Sequence, residues 1–104
     1  MDPQSLQARW SAGETVGLLD VREPEELAVA SVGPARHIPL GSLMDRVGEL
    51  EDWRDQNFAV ICHHGVRSAH AVGYLRSVGF DGAENLNGGI DRWSVEVDPT
   101  VPRY

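Results

Sequence analysis

The sequence predicts an α/β fold, a mostly parallel sheet covered by helices on both faces. Three observations predict it. Short apolar runs that read as strands alternate with helical segments along the whole chain. Two of those runs, residues 16–21 and 58–62, are almost continuously apolar, as strands buried on both faces are. No Gly-, Pro- or Ser-rich linker tract interrupts the segments, so residues 1–104 read as one uninterrupted domain.

Asp2 and Pro3 open the first helix, since an Asp cap accepts an orphan N–H and Pro fits the first turn; Leu6, Arg9 and Trp10 follow before Gly13 stops it. Residues 16–21 form the first strand and end in charge. Residues 23–30 open a second helix with carboxylates in the first turn, where the helix dipole favours them, and Val32, Gly33 and Pro34 end it. Residues 36–40 predict a short strand closed by Pro39. Residues 42–50 predict a third helix, with Leu43, Val47 and Leu50 on one face.

The strand at 58–62 runs straight into His63-His64-Gly65-Val66-Arg67-Ser68, after which Val72, Leu75 and Val78 mark the inner stripe of a helix. Gly79 supplies a left-handed cap, with Phe80 placed to pack back on that helix. Residues 82–86 give a last strand, and residues 89–93 a short final helix before a Pro-containing tail.

Composition narrows the chemistry. A chain of 104 residues removes roughly two-thirds of its unfolded surface from water, enough to fold without disulfides or a structural metal. One Cys permits no internal disulfide and no Cys-based zinc site. The nine Lys and Arg residues are all Arg, so Schiff-base catalysis is excluded. A net charge of −7 with cations scattered singly argues against nucleic-acid and anionic-membrane partners. No apolar run approaches a membrane span and no signal peptide opens the chain, so a cytoplasmic location is expected.

Cys62 carries the chemistry. Ligands of parallel sheets bind outside the carboxyl ends of the strands, and Cys62 stands at such an end. A lone strand-end Cys also reads as a small core residue. The tight loop that follows, with Gly65 at its middle and a helix N-terminus behind it, favours the other reading: its backbone N–H groups form a nest that stabilises an anion, here the thiolate. Arg67 acts in the same direction, as do His63 and His64 when protonated. The three consecutive residues Cys62, His63 and His64 cannot easily surround one tetrahedral ion, so no metal is expected.

Three motifs resemble the rhodanese-like sulfurtransferases, particularly the bacterial single-domain kind: Leu19-Asp20-Val21-Arg22-Glu23-Pro24-Glu25-Glu26, the loop Cys62 to Ser68, and Asn85-Leu86-Asn87-Gly88-Gly89-Ile90-Asp91-Arg92-Trp93. Their order covers nearly the whole chain. The resemblance implies a four- or five-stranded sheet, because the first helix begins too near Met1 to leave much room for the edge strand the family often places ahead of it. It implies persulfide chemistry without a cofactor: Cys62 takes a sulfane sulfur from a small donor such as thiosulfate and passes it to a thiol or cyanide acceptor. The alternative is a persulfide relay serving a sulfur-accepting partner protein. The family's phosphate-cleaving branch has five residues between Cys and Arg where this chain has four, His63 to Val66, and is disfavoured. Ser31 stands where the family usually has a structural His.

The other site residues carry paired expectations. His63, His64, Gly65, Val66, Arg67 and Ser68 line a donor pocket. Arg67 either binds the donor's oxyanion end or pairs with a carboxylate to hold the loop. Ser68 is most simply a helix cap, with a hydrogen bond to the Cys62 sulfur as the other option. Asp20 and Arg22 form a loop-supporting ion pair, or Arg22 contacts substrate. His37 and His70 take structural or solvent-facing positions, and Trp10, Trp53 and Trp93 pack.

Overall fold

The computed structural model describes residues 1–104. Its elements alternate as α1 (Pro3–Ser11), β1 (Gly17–Asp20), α2 (Pro24–Val29), β2 (Arg36–His37), α3 (Leu43–Arg46), β3 (Phe58–Ile61), α4 (Val66–Ser77), β4 (Ala83–Asn85) and α5 (Gly89–Glu96). The sheet has four strands, all parallel, in the order β2-β1-β3-β4. No helix is long and apolar enough to cross a membrane.

The period-two pleat of β1 and β3 divides the core in two. Leu19, Phe58, Val60 and Cys62 point to the face covered by α3 and α4, where they meet Leu43, Ala71, Val72 and Leu75. Leu18, Ala59 and Ile61 point to the opposite face, onto Leu6 of α1 and Ile90 and Trp93 of α5. Trp10 and Trp93 meet edge-on at 5.7 Å, and Trp53 lies 5.1 Å from Phe58, so all three Trp residues pack as expected.

Several boundaries differ from the sequence reading, each for a local reason. Asp2 makes no side-chain cap on α1; its carboxylate is turned instead to Asn87 and Arg92. The strand expected over 36–40 shortens to two residues because Pro39 has no amide to give a ladder, although Ile38 and Leu40 still donate to Asp20 and Val21. The helix expected over 42–50 is one α-turn between two 3₁₀ segments, Leu40–Ser42 and Val47–Trp53, with Gly41 and Gly48 weakening a regular run. The last helix extends past Trp93 to Glu96. At the end of α4, Gly79 adopts φ +99° and Phe80 N donates back to Leu75 O, as the sequence implied.

Chain direction across the sheet fixes where a ligand can sit. From β1 the chain moves outward to β2, then returns past β1 to β3 and moves on to β4. The order therefore reverses between β1 and β3, and the connections that leave their carboxyl ends part to opposite sides, opening a crevice. Asp20 and Ile61 are register partners at that end, so Arg22 and Cys62 both emerge there.

Candidate active site

Cys62 follows β3 directly and is 1 % exposed. Gly65 N donates to its Sγ at 3.0 Å, and Ser68 Oγ lies 3.2 Å away. Ser68 is not a cap. The cap of α4 is Gly65, at φ +105°, and Ser68 is the third residue of the helix, its side chain turned down onto the sulfur. Ser68 Oγ donates to Asn85 Oδ1 at 2.5 Å, so the hydrogen in the Cys62–Ser68 contact belongs to the thiol. Asn85 Nδ2 in turn donates to Gly65 O at 3.2 Å. Sulfur, hydroxyl, amide and loop backbone thus form a closed circuit.

Gly65 is the one loop amide that reaches the sulfur, fewer than a full nest would supply. The first intrahelical bond of α4 runs from Ala69 N to Gly65 O, so the amides of Val66, Arg67 and Ser68 have no helical partner. They form the positive end of the α4 dipole beside Sγ.

A second signature holds this loop from below. The amides of Ile90 and Asp91, at the start of α5, donate to the carbonyls of Cys62 at 2.9 Å and His63 at 3.1 Å. Gly89, at φ +61°, lies so close that a Cβ there would collide with both carbonyl oxygens. This approach is why Gly stands at position 89; Gly88, at φ +77°, is the left-handed cap of α5.

Arg67 pairs with a carboxylate. Its two Nη atoms donate to Glu26 Oε1 and Oε2 at 2.5 and 2.8 Å. Glu26 lies in the first turn of α2, and its side chain also closes a capping box with Glu23. Hydrogen bonding to Arg67 holds the Glu26 carboxyl down at about 2, despite partial burial. The same pairing raises Arg67 above its ordinary value.

Asp20 and Arg22 form the expected ion pair, with side chains almost wholly buried and Nη2–Oδ2 at 2.7 Å. Arg22 Nε binds both Asp20 oxygens, and Nη1 reaches Glu26 O at 3.3 Å and the Tyr104 hydroxyl at 3.0 Å. These contacts engage its donors, so it is not turned to a substrate. Its support reaches the Cys62 loop indirectly: the Tyr104 hydroxyl donates to Glu26 Oε2 at 2.6 Å, and Glu26 holds Arg67.

His63 and His64 stack with centroids 3.9 Å apart, and Tyr104 stacks on the other face of His63 at 3.8 Å. Burial and the neighbouring His64 lower His63, favouring its neutral form. His37 Nε2 meets Arg22 O at 2.6 Å, a structural position, and His70 faces solvent. Ser31 is exposed between the buried Ala30 and Val32.

Sequence reasoning missed Glu26, Asn85 and Tyr104. Glu26 and Asn85 stood inside quoted motifs but read as a helix-start acid and a strand end. Tyr104 had no local signal, because its partners lie 78 to 82 residues away.

A family profile described as the rhodanese-like domain matches residues 2–96. A sulfurtransferase of Allochromatium vinosum is 33 % identical over 101 residues, covering 97 % of this chain and 92 % of that protein. A maize adenylyltransferase and sulfurtransferase is 36 % identical over 97 residues, covering 88 % of this chain; the chain spans 21 % of that protein's length. The crystal structure of a rhodanese-related protein from Thermoplasma volcanium superimposes with a TM-score of 0.84 at 36 % identity, covering 100 % of this chain and 97 % of that one.

Proposed function

Because the chain belongs to the rhodanese-like domain family, we propose that it is a sulfurtransferase in which Cys62 carries the sulfur as a persulfide. The observation that supports this most directly is the convergence of Gly65 N and the α4 N-terminus on one buried sulfur at the β1–β3 crevice. The thiolate attacks the sulfane sulfur of a donor, of which thiosulfate is the simplest. A Cys62–sulfur bond forms, the donor's S–S bond breaks, and sulfite leaves with the electron pair. A thiol or cyanide acceptor then attacks the outer sulfur and returns Cys62 as thiolate.

Within this reading, Gly65 N and the unpartnered amides of Val66, Arg67 and Ser68 stabilise the negative charge of thiolate and persulfide. Arg67, Glu26, Asp20 and Arg22 keep the loop in that geometry, and His63 and His64 line its mouth. A relay role, with a protein as sulfur acceptor, draws support from the maize relative, whose name joins sulfurtransferase to adenylyltransferase in one longer chain.

The test is formation of thiocyanate from thiosulfate and cyanide by wild type and Cys62→Ala, with circular dichroism on both. Wild type is expected to turn over and Cys62→Ala to be inactive with its fold intact. Thiocyanate formation retained by a folded Cys62→Ala protein would overturn the mechanism.

A further inference from the structure

Ser68 is fully buried and owns a single hydroxyl hydrogen, for which two acceptors compete: Asn85 Oδ1 at 2.5 Å and Cys62 Sγ at 3.2 Å. The setting of Asn85 is not free. Its Nδ2 donates to Gly65 O at 3.2 Å, and the opposite amide setting would bring two carbonyl oxygens together, so Oδ1 is the atom turned to Ser68. Asn85 stands on β4 as the register partner of Val60, so the sheet rather than the loop holds it in place.

In the thiol state every hydrogen is used: the S–H donates to Ser68 Oγ and the O–H donates to Asn85. Once Cys62 loses its hydrogen, as thiolate or as persulfide, Sγ only accepts, and a hydroxyl still donating to Asn85 turns a lone pair toward it. Resting on the sulfurtransferase reading, we infer that Asn85 is a positioning residue acting through Ser68: it holds the hydroxyl hydrogen off the resting sulfur, and the hydroxyl must turn from Asn85 to Sγ when the anion forms. No proton reaches Asn85, whose amide oxygen only accepts a hydrogen bond; the thiol proton leaves to solvent. Asn85 thereby opposes the thiolate, while Gly65 N favours it. The charged and titratable groups around the loop come from other elements: Arg67 of α4 with Glu26 of α2, and the buried Asp20 and Arg22 after β1. His63 and His64 lie on the loop itself, with Tyr104 stacked on His63, Asp91 paired with Arg103 below, and the Met1 ammonium on the main-chain oxygen of Asn85. None of them hydrogen-bonds the side chain of Ser68 or Asn85, so substitutions there leave these pairings in place.

The experiment follows the rate of Cys62 alkylation by iodoacetamide against pH, with circular dichroism on every variant. Asn85→Leu keeps the shape without the acceptor and gives the hydroxyl to the sulfur, so the midpoint should fall by about one pH unit. A loop merely loosened by loss of the Nδ2 bond would carry Gly65 N away from Sγ and move the midpoint up. In a Ser68→Ala background, Asn85→Leu should not lower it. An unchanged or raised midpoint in folded Asn85→Leu, or an equal fall without the Ser68 hydroxyl, would overturn the inference. Where Asn85→Leu fails to fold, Asn85→Asp supplies the test, since a carboxylate grips the hydroxyl hydrogen more firmly than an amide does. Its charge raises the midpoint in both backgrounds, and the rise should be larger with Ser68 present; equal rises would overturn the inference. Alkylation needs no sulfur donor, so these outcomes bear on Asn85 alone, whereas absence of Cys62-dependent thiocyanate from wild type would overturn the sulfurtransferase reading.

Discussion

Ser68 shows how much rests on one hydroxyl. It is fully buried, touches Sγ, and holds Asn85 to the loop. Ser68→Ala removes the sulfur's hydrogen-bond partner and leaves Asn85 Oδ1 without its donor. The expected result is a fall of about tenfold in sulfur transfer and a loss of about 1–2 kcal/mol in stability, read by initial rates and thermal melts. Full activity would show that the contact is incidental. Glu26 makes a pH-dependent prediction. Its folded carboxyl sits at about 2, below its ordinary 4.5, so the unfolded chain binds the extra proton between those values. The pair's contribution is therefore complete above about pH 4.5 and is lost as pH falls toward 2. The stability difference between wild type and Glu26→Gln should be about 1–2 kcal/mol at pH 6, held down by solvent at the one-third-exposed Arg67, and should vanish near pH 2. Urea melts across that range check it; a pH-independent difference would assign the cost to packing.

Among the elements, β3, the Cys62 loop and α4 were the most legible in the sequence. An apolar β-branched run, a central Gly and a 3.6-residue stripe each specify one local structure, and nothing distant competes. The segment from Pro39 to Trp53 was the least legible, because its apolar residues keep helical spacing while its glycines and the neighbouring Pro39 favour tighter turns. The site followed the same division. Contacts within Cys62 to Ser68 were foreseen in kind, although the structure reversed the simpler reading of Ser68. Glu26, Asn85 and Tyr104 were not foreseen, since only the folded sheet brings them to the loop. The contact between α5 and the Cys62 loop yields a prediction of its own. Gly89→Ala places a side chain at φ +61° against two carbonyls, so a loss of about 2 kcal/mol or more is expected, lowering the melting temperature by roughly 10 °C. Sulfur transfer should fall further than the population unfolded explains, because α5 must back away from Cys62. Wild-type activity and stability together would show that the approach is not tight in solution.

For the whole molecule, the decisive fact is that the thiol is single and buried. No second Cys is present to resolve a persulfide, and a 1 % exposed sulfur is shielded from another copy of the chain. Sulfane-donor treatment followed by intact-mass measurement should therefore show one added sulfur atom that persists until a thiol or cyanide is supplied. Spontaneous loss of that mass, or a disulfide-linked dimer, would contradict it. The Tyr104 hydroxyl has a consequence in time rather than space. It ties residues 22 and 26, which leave the ribosome early, to a residue made some eighty positions later. The Cys62 loop draws its own support from residues 85–91, whereas the brace between Arg22 and Glu26 needs Tyr104. A chain lacking Tyr104 would carry every strand of the sheet and the Cys62 loop without this brace.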